Sequence, residues 1–400
     1  MDKQGNDVVI VSGCRTAIAK FGGGLKDLRA HQLAAVAMEE AIQRAGIEKG
    51  QIDEIIVGDC IQCPDEANTA RTAALSIGIP VEVPAYTVQK QCSSSMQALN
   101  SARHQIIAGD AEIMLVAGAE SMSNAPYVLP NARWGQRLMD GKLVDAVWEM
   151  LHSGSSFLPE RMIMGQTAEN LARKYDISRE EQDIIALRSH ANAEAATTSG
   201  RFKDEIVPVT LKSRKGDTVF DADEHIRLGL TMGDLERLKP AFAADGTVTA
   251  GNSSGLNDGG AAAVVMTRAK AEKLGIQPLA RIIAQATAGV EPTLMGYGPV
   301  PATEKLLAKA GMKLEDIGLF ELNEAFASQY IACEKGLGLD REKVNVNGSG
   351  VGLGHPVGAT GLRIVISLMY EMRRRNERYG IASLCVGGGM GLSTLVELES

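Results

Sequence analysis

Cys92 stands where a β-prone stretch, PAYTV from Pro84, gives way to a segment in which Met96, Leu99, Ile106 and Ile107 recur at helical spacing. Ser93, Ser94 and Ser95 follow it with side chains suited to capping a helix start. Free backbone N–H groups and the positive end of a helix dipole stabilise a thiolate at such a junction, so the expectation is a cysteine more acidic than a free one. A lone cysteine is more often a small buried hydrophobe. Two later stretches argue for chemistry instead. GSGVGLGHPVGATG, from Gly348, sets His355 in a glycine-dense loop ahead of an apolar helical pattern over 362–372, and CVGGGMG puts Cys385 directly after the strand-like 381–384.

A thiol nucleophile, an imidazole and a second thiol form an unusual trio, and thioester condensation has work for each. Cys92 would take an acyl group from one thioester after His355 removes its proton. Cys385 would remove the α-proton of a second thioester, turning that molecule into a carbon nucleophile. The oxyanions formed on the way need donors, and glycine-dense loops offer accessible backbone N–H groups. Neither loop has the GxGxxG spacing of a dinucleotide site after a strand. Cys14 and Cys333 sit among apolar or helical neighbours and read as packing residues. Cys60 and Cys63 form a CxxC, yet no second pair or histidine pair completes a zinc site, so no metal is expected.

The remaining composition bounds the partners. A formal charge of −8 and the lack of a basic stripe interleaved with aromatics argue against nucleic acid, and an anionic substrate would need a local basic site. No apolar run reaches the roughly 18–20 residues that span a bilayer, so no membrane association is expected. The opening MDKQGN lacks the apolar core of a secretory signal, and six unevenly spaced cysteines suit a reducing compartment, which makes the expected location cytoplasmic. Four hundred residues suggest two or three domains.

Strands are predicted over 8–12, 52–57, 112–118 and 261–266. Helices are predicted over 31–45 with Gly46 as the stop, 73–77, the segment after Cys92 to residue 108, 167–175, and 178–197 opening on the capping box of Ser178 and Glu181. Between about 120 and 157 periodicity lapses into what reads as an inserted excursion, and 202–242 reads as a polar surface subdomain. AIQRAGIEKGQIDEIIV, residues 41–57, aligns without gaps on LLAKAGMKLEDIGLFEL, residues 306–322, matching the Ala-Gly pair and then Ile52 with Ile317. The Cys92 junction and helix likewise mirror the His355 loop and helix. One fold unit is used twice, and two similar sheets layered with helices would bring both sets of strand ends to one cleft.

Six blocks together, CSSSMQALNSA at 92, GAESMSNAP at 118, GNSSGLNDG at 251, NEAFA at 323, GHPVGATG at 354 and CVGGGMG at 385, make nearly the whole chain resemble the thiolase family of acetyl-CoA acetyltransferases and 3-ketoacyl-CoA thiolases. The resemblance implies an α/β, duplicated layered αβαβα fold with an inserted loop domain. Residues 1–120 plus 250–275 would form the first half, 121–249 the loop domain with coenzyme A (CoA) and oligomer contacts, and 276–400 the second half. It implies Cys92 as acyl carrier, His355 as its activator and Cys385 as the acid/base of carbon–carbon bond formation. Asn323 would order a water that joins His355 in one oxyanion hole, and the N–H groups of Cys92 and Gly387 would make the other. Ser254 would contact the pantetheine arm, Arg227 would lie near the nucleotide end of CoA, and Met164, Met295 and Phe326 would line the acyl pocket.

Two positions depart from the family pattern. Ser93 stands where alanine commonly follows the nucleophile, and Ile163 stands where short-chain biosynthetic members carry histidine before Met-Gly. The implied activity is acetyl-CoA C-acetyltransferase, with a broader-chain 3-ketoacyl-CoA thiolase as the alternative. A non-catalytic acyl- or sterol-binding relative is the reading from outside enzymology. Substrates would be acyl-CoA and CoA, no further cofactor is implied, and a homodimer or homotetramer is expected.

Overall fold

The computed structural model describes residues 4–152, 154–158 and 160–399. Its main strands are β1 (Val8–Thr16), β2 (Glu54–Gly58), β3 (Ala85–Val88), β4 (Ile113–Ser121), β5 (Asn257–Thr267), β6 (Ala280–Gly289), β7 (Leu319–Leu322), β8 (Tyr379–Val386) and β9 (Met390–Leu398). Its main helices are α1 (Ala30–Ala45), α2 (Ser94–Ala108), α3 (Met164–Lys174), α4 (Arg179–Thr198), α5 (Pro299–Ala310), α6 (Ala327–Leu337) and α7 (Val357–Arg375). Most begin or end within a few residues of the sequence reading. Gly46 closes α1 at φ 66°, and Ser178 accepts the Glu181 N–H to open α4.

The duplication is visible in the strand order. In the first half the path runs β1-β5-β4-β2-β3 and in the second β6-β9-β8-β7, with β4-β2-β3 and β8-β7 paired in parallel and the other neighbours antiparallel. Val344, bridged in parallel to Phe320, stands where β3 would be. The two half-sheets are joined: β1 and β6 pair at Val9–Arg281 and Ile10–Ala280, so hydrogen bonding runs on from one to the other.

Alternation along the strands sets the layers. Val9 and Val11 face a core built on α1, whereas Val8 and Ile10 face a second core shared with α2 and α7. Phe320, Leu322, Ile381 and Leu395 turn the other way, into a third core under α5 and α6. The order is therefore helix, sheet, helix, sheet, helix, the layered αβαβα arrangement, with α2 and α7 enclosed in the middle. Close approach there needs glycine: a Cβ on Gly58 would lie 2.2 Å from the Ser95 nitrogen, and one on Gly361 2.7 Å from that of Met96. The Leu362 N–H donates to Ser95 Oγ across the same contact, at 2.9 Å.

The 202–242 stretch is less superficial than its polarity suggested. Arg15, fully buried on β1, donates to Glu205 at 2.6 Å and to both oxygens of Asp223 at 2.7 and 2.9 Å, with Phe202 beneath its guanidinium. Glu205 and Asp223 are internal partners of the sheet, which a polarity pattern cannot distinguish from a solvated face.

Candidate active site

The chain leaves β3, turns through Gln91 at φ 50°, and starts α2 at Ser94, placing Cys92 on the bend rather than in the helix. A non-glycine residue in the left-handed region is strained, and this one is held by its neighbours. Ser93 and Ser94 N–H groups donate to the carbonyls of Lys90 and Gln91, and Ser94 Oγ accepts the Lys90 N–H at 2.9 Å. The serines thus lock the bend; Ser93, at the cap position, makes no side-chain cap bond. Cys92 is half-buried, with Cys60, Ile61 and Val357 packed around it.

His355 is buried just ahead of α7, its backbone N–H donating to Asn257 Oδ1 at 2.9 Å. Its Nδ1 lies 2.6 Å from Thr360 Oγ1, and that hydroxyl donates its own proton to the Pro356 carbonyl at 2.8 Å. A hydroxyl has one proton to give, so Nδ1 must carry the hydrogen and Nε2 is left as the acceptor. Asn323 Nδ2 lies 3.5 Å from that Nε2. Burial, aided by the Arg363 charge, pushes the His355 pKa down to about 3, so the imidazole is neutral. Asn323 follows β7 and is itself fully buried, and its Oδ1 has no hydrogen-bond partner among the described residues.

Cys385 closes β8 and is fully buried among Met295, Ala325 and Phe326. Two residues on, the Gly387 N–H reaches the Cys92 sulfur, as does the N–H of Cys92 itself. A cleft of about 510 Å³ opens over this group. Cys92, His355, Gly387, Arg227, Ser254, Met164, Met295 and Phe326 all line it, and Asn323 and Cys385 stand directly behind its wall. Arg227 lies exposed, and Phe326 meets Phe242 edge-on at 6.0 Å. Trp148, Met150, Leu151 and Ile163 complete an apolar side wall.

This cleft sits in a chain whose residues 8–269 match the family described as Thiolase, N-terminal domain, and whose residues 276–398 match Thiolase, C-terminal domain. The chain belongs to the thiolase family. An acetyl-CoA acetyltransferase of Syntrophomonas wolfei is 49% identical over 395 residues, covering 98% of this chain and 99% of the relative. Among solved structures, the Bacillus anthracis acetyl-CoA acetyltransferase superposes with a TM-score of 0.96 at 54% identity, covering 98% and 99% of the two chains. Human mitochondrial 3-ketoacyl-CoA thiolase in complex with CoA gives 0.94 at 40% identity, covering 98% of each.

In this thiolase one expectation fails. Cys92 is not more acidic than a free thiol: burial pushes its pKa up to about 11, opposed by the Gly387 N–H and its own N–H, with the Glu120 carboxyl adding to the rise. Cys385 is pushed well above the ordinary thiol value, again by burial first and then by neighbouring Cys92. Both are thiols at rest. Thr360 and Asn257, which fix His355, lie in the GHPVGATG and GNSSGLNDG blocks, but nothing in their spacing marked them as partners of the histidine. Among the described residues no cluster of His, Cys, Asp or Glu could hold a metal ion, and no helix is long and apolar enough to cross a membrane.

Proposed function

We propose that the chain is an acetyl-CoA C-acetyltransferase that interconverts two acetyl-CoA with acetoacetyl-CoA and CoA through an acetyl-Cys92 intermediate. One observation carries this: a partly buried thiol, two N–H groups aimed at its sulfur and a neutral histidine with an unprotonated Nε2 line one cleft, with a second thiol behind them.

The cycle follows from those states. Cys92 sulfur adds to the carbonyl carbon of acetyl-CoA as His355 Nε2 takes the thiol proton, and the oxyanion points toward the Cys92 and Gly387 N–H groups. Collapse breaks the carbon–sulfur bond to CoA, and Cys385 gives its proton to the departing thiolate. That leaves acetyl-Cys92, an imidazolium and a Cys385 thiolate. On a second acetyl-CoA the Cys385 thiolate removes the α-proton, while protonated His355 and Asn323 stabilise the enolate oxygen. The enolate carbon attacks the acetyl group, Cys92 leaves as thiolate, and His355 returns its proton. Each group ends as it began. A thiol raised by burial suits the second role, because once ionised it is basic enough to take a weakly acidic proton.

Ser254 and Arg227, lining the same cleft, are proposed to hold the pantetheine arm and the nucleotide end of CoA, with Met164, Met295 and Phe326 against the acyl chain. The halves are proposed as 1–120 plus 250–275 and as 276–400, with 121–249 a loop domain. Tyr127, Trp134, Leu138, Met139 and Leu143 of that domain are exposed, which supports a homodimer or homotetramer. Six unpaired thiols support a cytoplasmic location. The apolar wall at Ile163, Met150 and Leu151 favours a second reading, a 3-ketoacyl-CoA thiolase accepting longer chains. Intact mass after mixing with acetyl-CoA tests the core of the proposal: one acetyl group on Cys92 is expected, and a binding protein would gain none.

A further inference from the structure

Beside the cleft lies a pair of buried carboxyls that the mechanism above does not use. Glu120, at the end of β4, is fully buried, and its two oxygens accept backbone N–H groups from opposite halves of the molecule. Oε1 accepts from Ile61 at 3.1 Å and Oε2 from Gly358 at 2.8 Å. Ile61 and Cys60 pack against Cys92, and the Cys60 sulfur lies 3.6 Å from Oε1 of Gln91, the strained residue of the bend. Gly358 lies three residues after His355, in the first turn of α7, where N–H groups have no partner within the helix.

No side chain of the 355–360 segment caps α7; Pro356 occupies the cap position without a side-chain bond. Glu120 supplies the acceptor from the other half instead, with burial and the neighbouring Asp59 pushing its pKa well above the ordinary carboxyl value. The approach is tight. A Cβ on Gly358 would lie 2.3 Å from the Ala119 carbonyl oxygen and 3.0 Å from the Cys60 nitrogen, so the two segments touch backbone to backbone. Asp59 closes the arrangement, accepting the Thr69 hydroxyl at 2.6 Å and lying against Glu120. Two buried carboxyls in contact cannot both ionise cheaply, and one shared proton between them satisfies the Asp59 oxygen that otherwise lacks a donor.

The duplicated sheet gives this place a counterpart. Glu54 pairs with Met114 in the first half and Leu319 with Gly380 in the second, so with 54 matched to 319, Ala119 and Glu120 fall where Cys385 and Val386 fall in the other half. One strand end delivers a proton-handling thiol and the other a carboxyl.

We propose that Glu120 is a positioning residue of the acyl-transfer reaction, clamping the Cys60–Ile61 segment beside Cys92 to the first turn of the helix behind His355, so that one side chain sets nucleophile and base in register. The inference rests on the roles given to Cys92 and His355 above. Its test compares Glu120→Gln, Glu120→Asp and Asp59→Asn with the full-length enzyme and with Cys92→Ala, all assayed well below their melting temperatures. Glu120→Gln turns an NH₂ toward one of the two N–H donors, and Glu120→Asp is too short to hold both. Asp59→Asn leaves both Glu120 oxygens free to accept the Ile61 and Gly358 N–H groups and keeps the clamp.

Expected are a fall of tenfold or more in kcat and in single-turnover acetylation for both Glu120 variants, with KM for acetyl-CoA within threefold, and near-normal values for Asp59→Asn. A kcat within threefold of the parent in either folded Glu120 variant overturns the proposal, as does a loss expressed only in KM. Failure of both Glu120 variants to fold overturns it too, since Glu120 would then serve the fold and not the reaction geometry. If Cys92→Ala still turned over, the proposed function would have failed, a result separable from the behaviour of Glu120.

Discussion

In the first half α2 follows Cys92 across a bend strained at Gln91, and the residue is left only partly buried. In the second, α7 follows His355 after Gly354 at φ 100°, and the imidazole is buried with its Nδ1–H committed to Thr360. The approach to a central helix is thus built twice, the second time through the short helix Gly350–Leu353, and tuned in opposite senses. In the proposed mechanism the group that bonds to substrate needs access, and Cys92 is the less buried of the two. A group that must move a proton needs a fixed tautomer and a fixed charge, and burial provides both. On that reading, duplication supplies two corresponding helix starts at one cleft, and differences in burial divide the labour between them.

That contrast breaks most visibly at the histidine. His355→Ala should slow acetylation of Cys92 by about 10² to 10⁴, the range of a positioned proton-transfer group. Because the His355 pKa is held to about 3, the acetylation rate of the parent enzyme should show no acid limb near the ordinary histidine value. A limb at about pH 6.5 in kcat/KM that vanished in the variant would show a solvated imidazole. Stability carries the same signature. A folded pKa below the unfolded one means that the unfolded state binds more protons as pH falls below the ordinary histidine value, so stability should decline from there toward about pH 3. Buried His190, held to about 3, and His225, held to about 4, act in the same direction.

Thr360→Val sharpens the comparison with a smaller effect. Removing the acceptor for Nδ1–H leaves either tautomer unpaired at a cost of about 1–3 kcal/mol, so acetylation should fall about five- to 160-fold with KM little changed. Rates equal to the parent would show that the tautomer is set elsewhere. The smallest effect concerns the cleft wall. With Ile163 beside Met164, each added methylene of a 3-ketoacyl-CoA is worth about 0.8 kcal/mol if buried, or about fourfold in kcat/KM. A chain-length series should therefore remain within about twentyfold of acetoacetyl-CoA for the next one or two members. A steep loss at the first added carbon would mark a strict acetoacetyl-CoA enzyme.

Much of this was legible before the structure. Glycine-dense blocks around His355 and Cys385, and a serine run after Cys92, are local signals, and the gap-free repeat of 41–57 in 306–322 announced the duplication. What escaped was tertiary. The acidity expected of Cys92 followed from its place before a helix, but burial outweighs the nearby N–H groups and moves the pKa the other way. Thr360 is five residues from His355, a separation that joins them only because α7 starts between the two. The paired acids of Arg15 lie 190 and 208 positions along the chain, beyond the reach of any periodicity.

The division of labour between the cysteines is the central claim, and single-turnover acetylation of Cys92→Ala and Cys385→Ala, followed by intact mass beside steady-state thiolysis of acetoacetyl-CoA, tests it directly. Cys92→Ala should gain no acetyl group and show no thiolysis. Cys385→Ala should still gain one acetyl group, more slowly because the proton donor to departing CoA is missing, while thiolysis is largely lost. Near-normal thiolysis in Cys385→Ala, or acetylation at another cysteine with turnover intact in Cys92→Ala, would contradict the account.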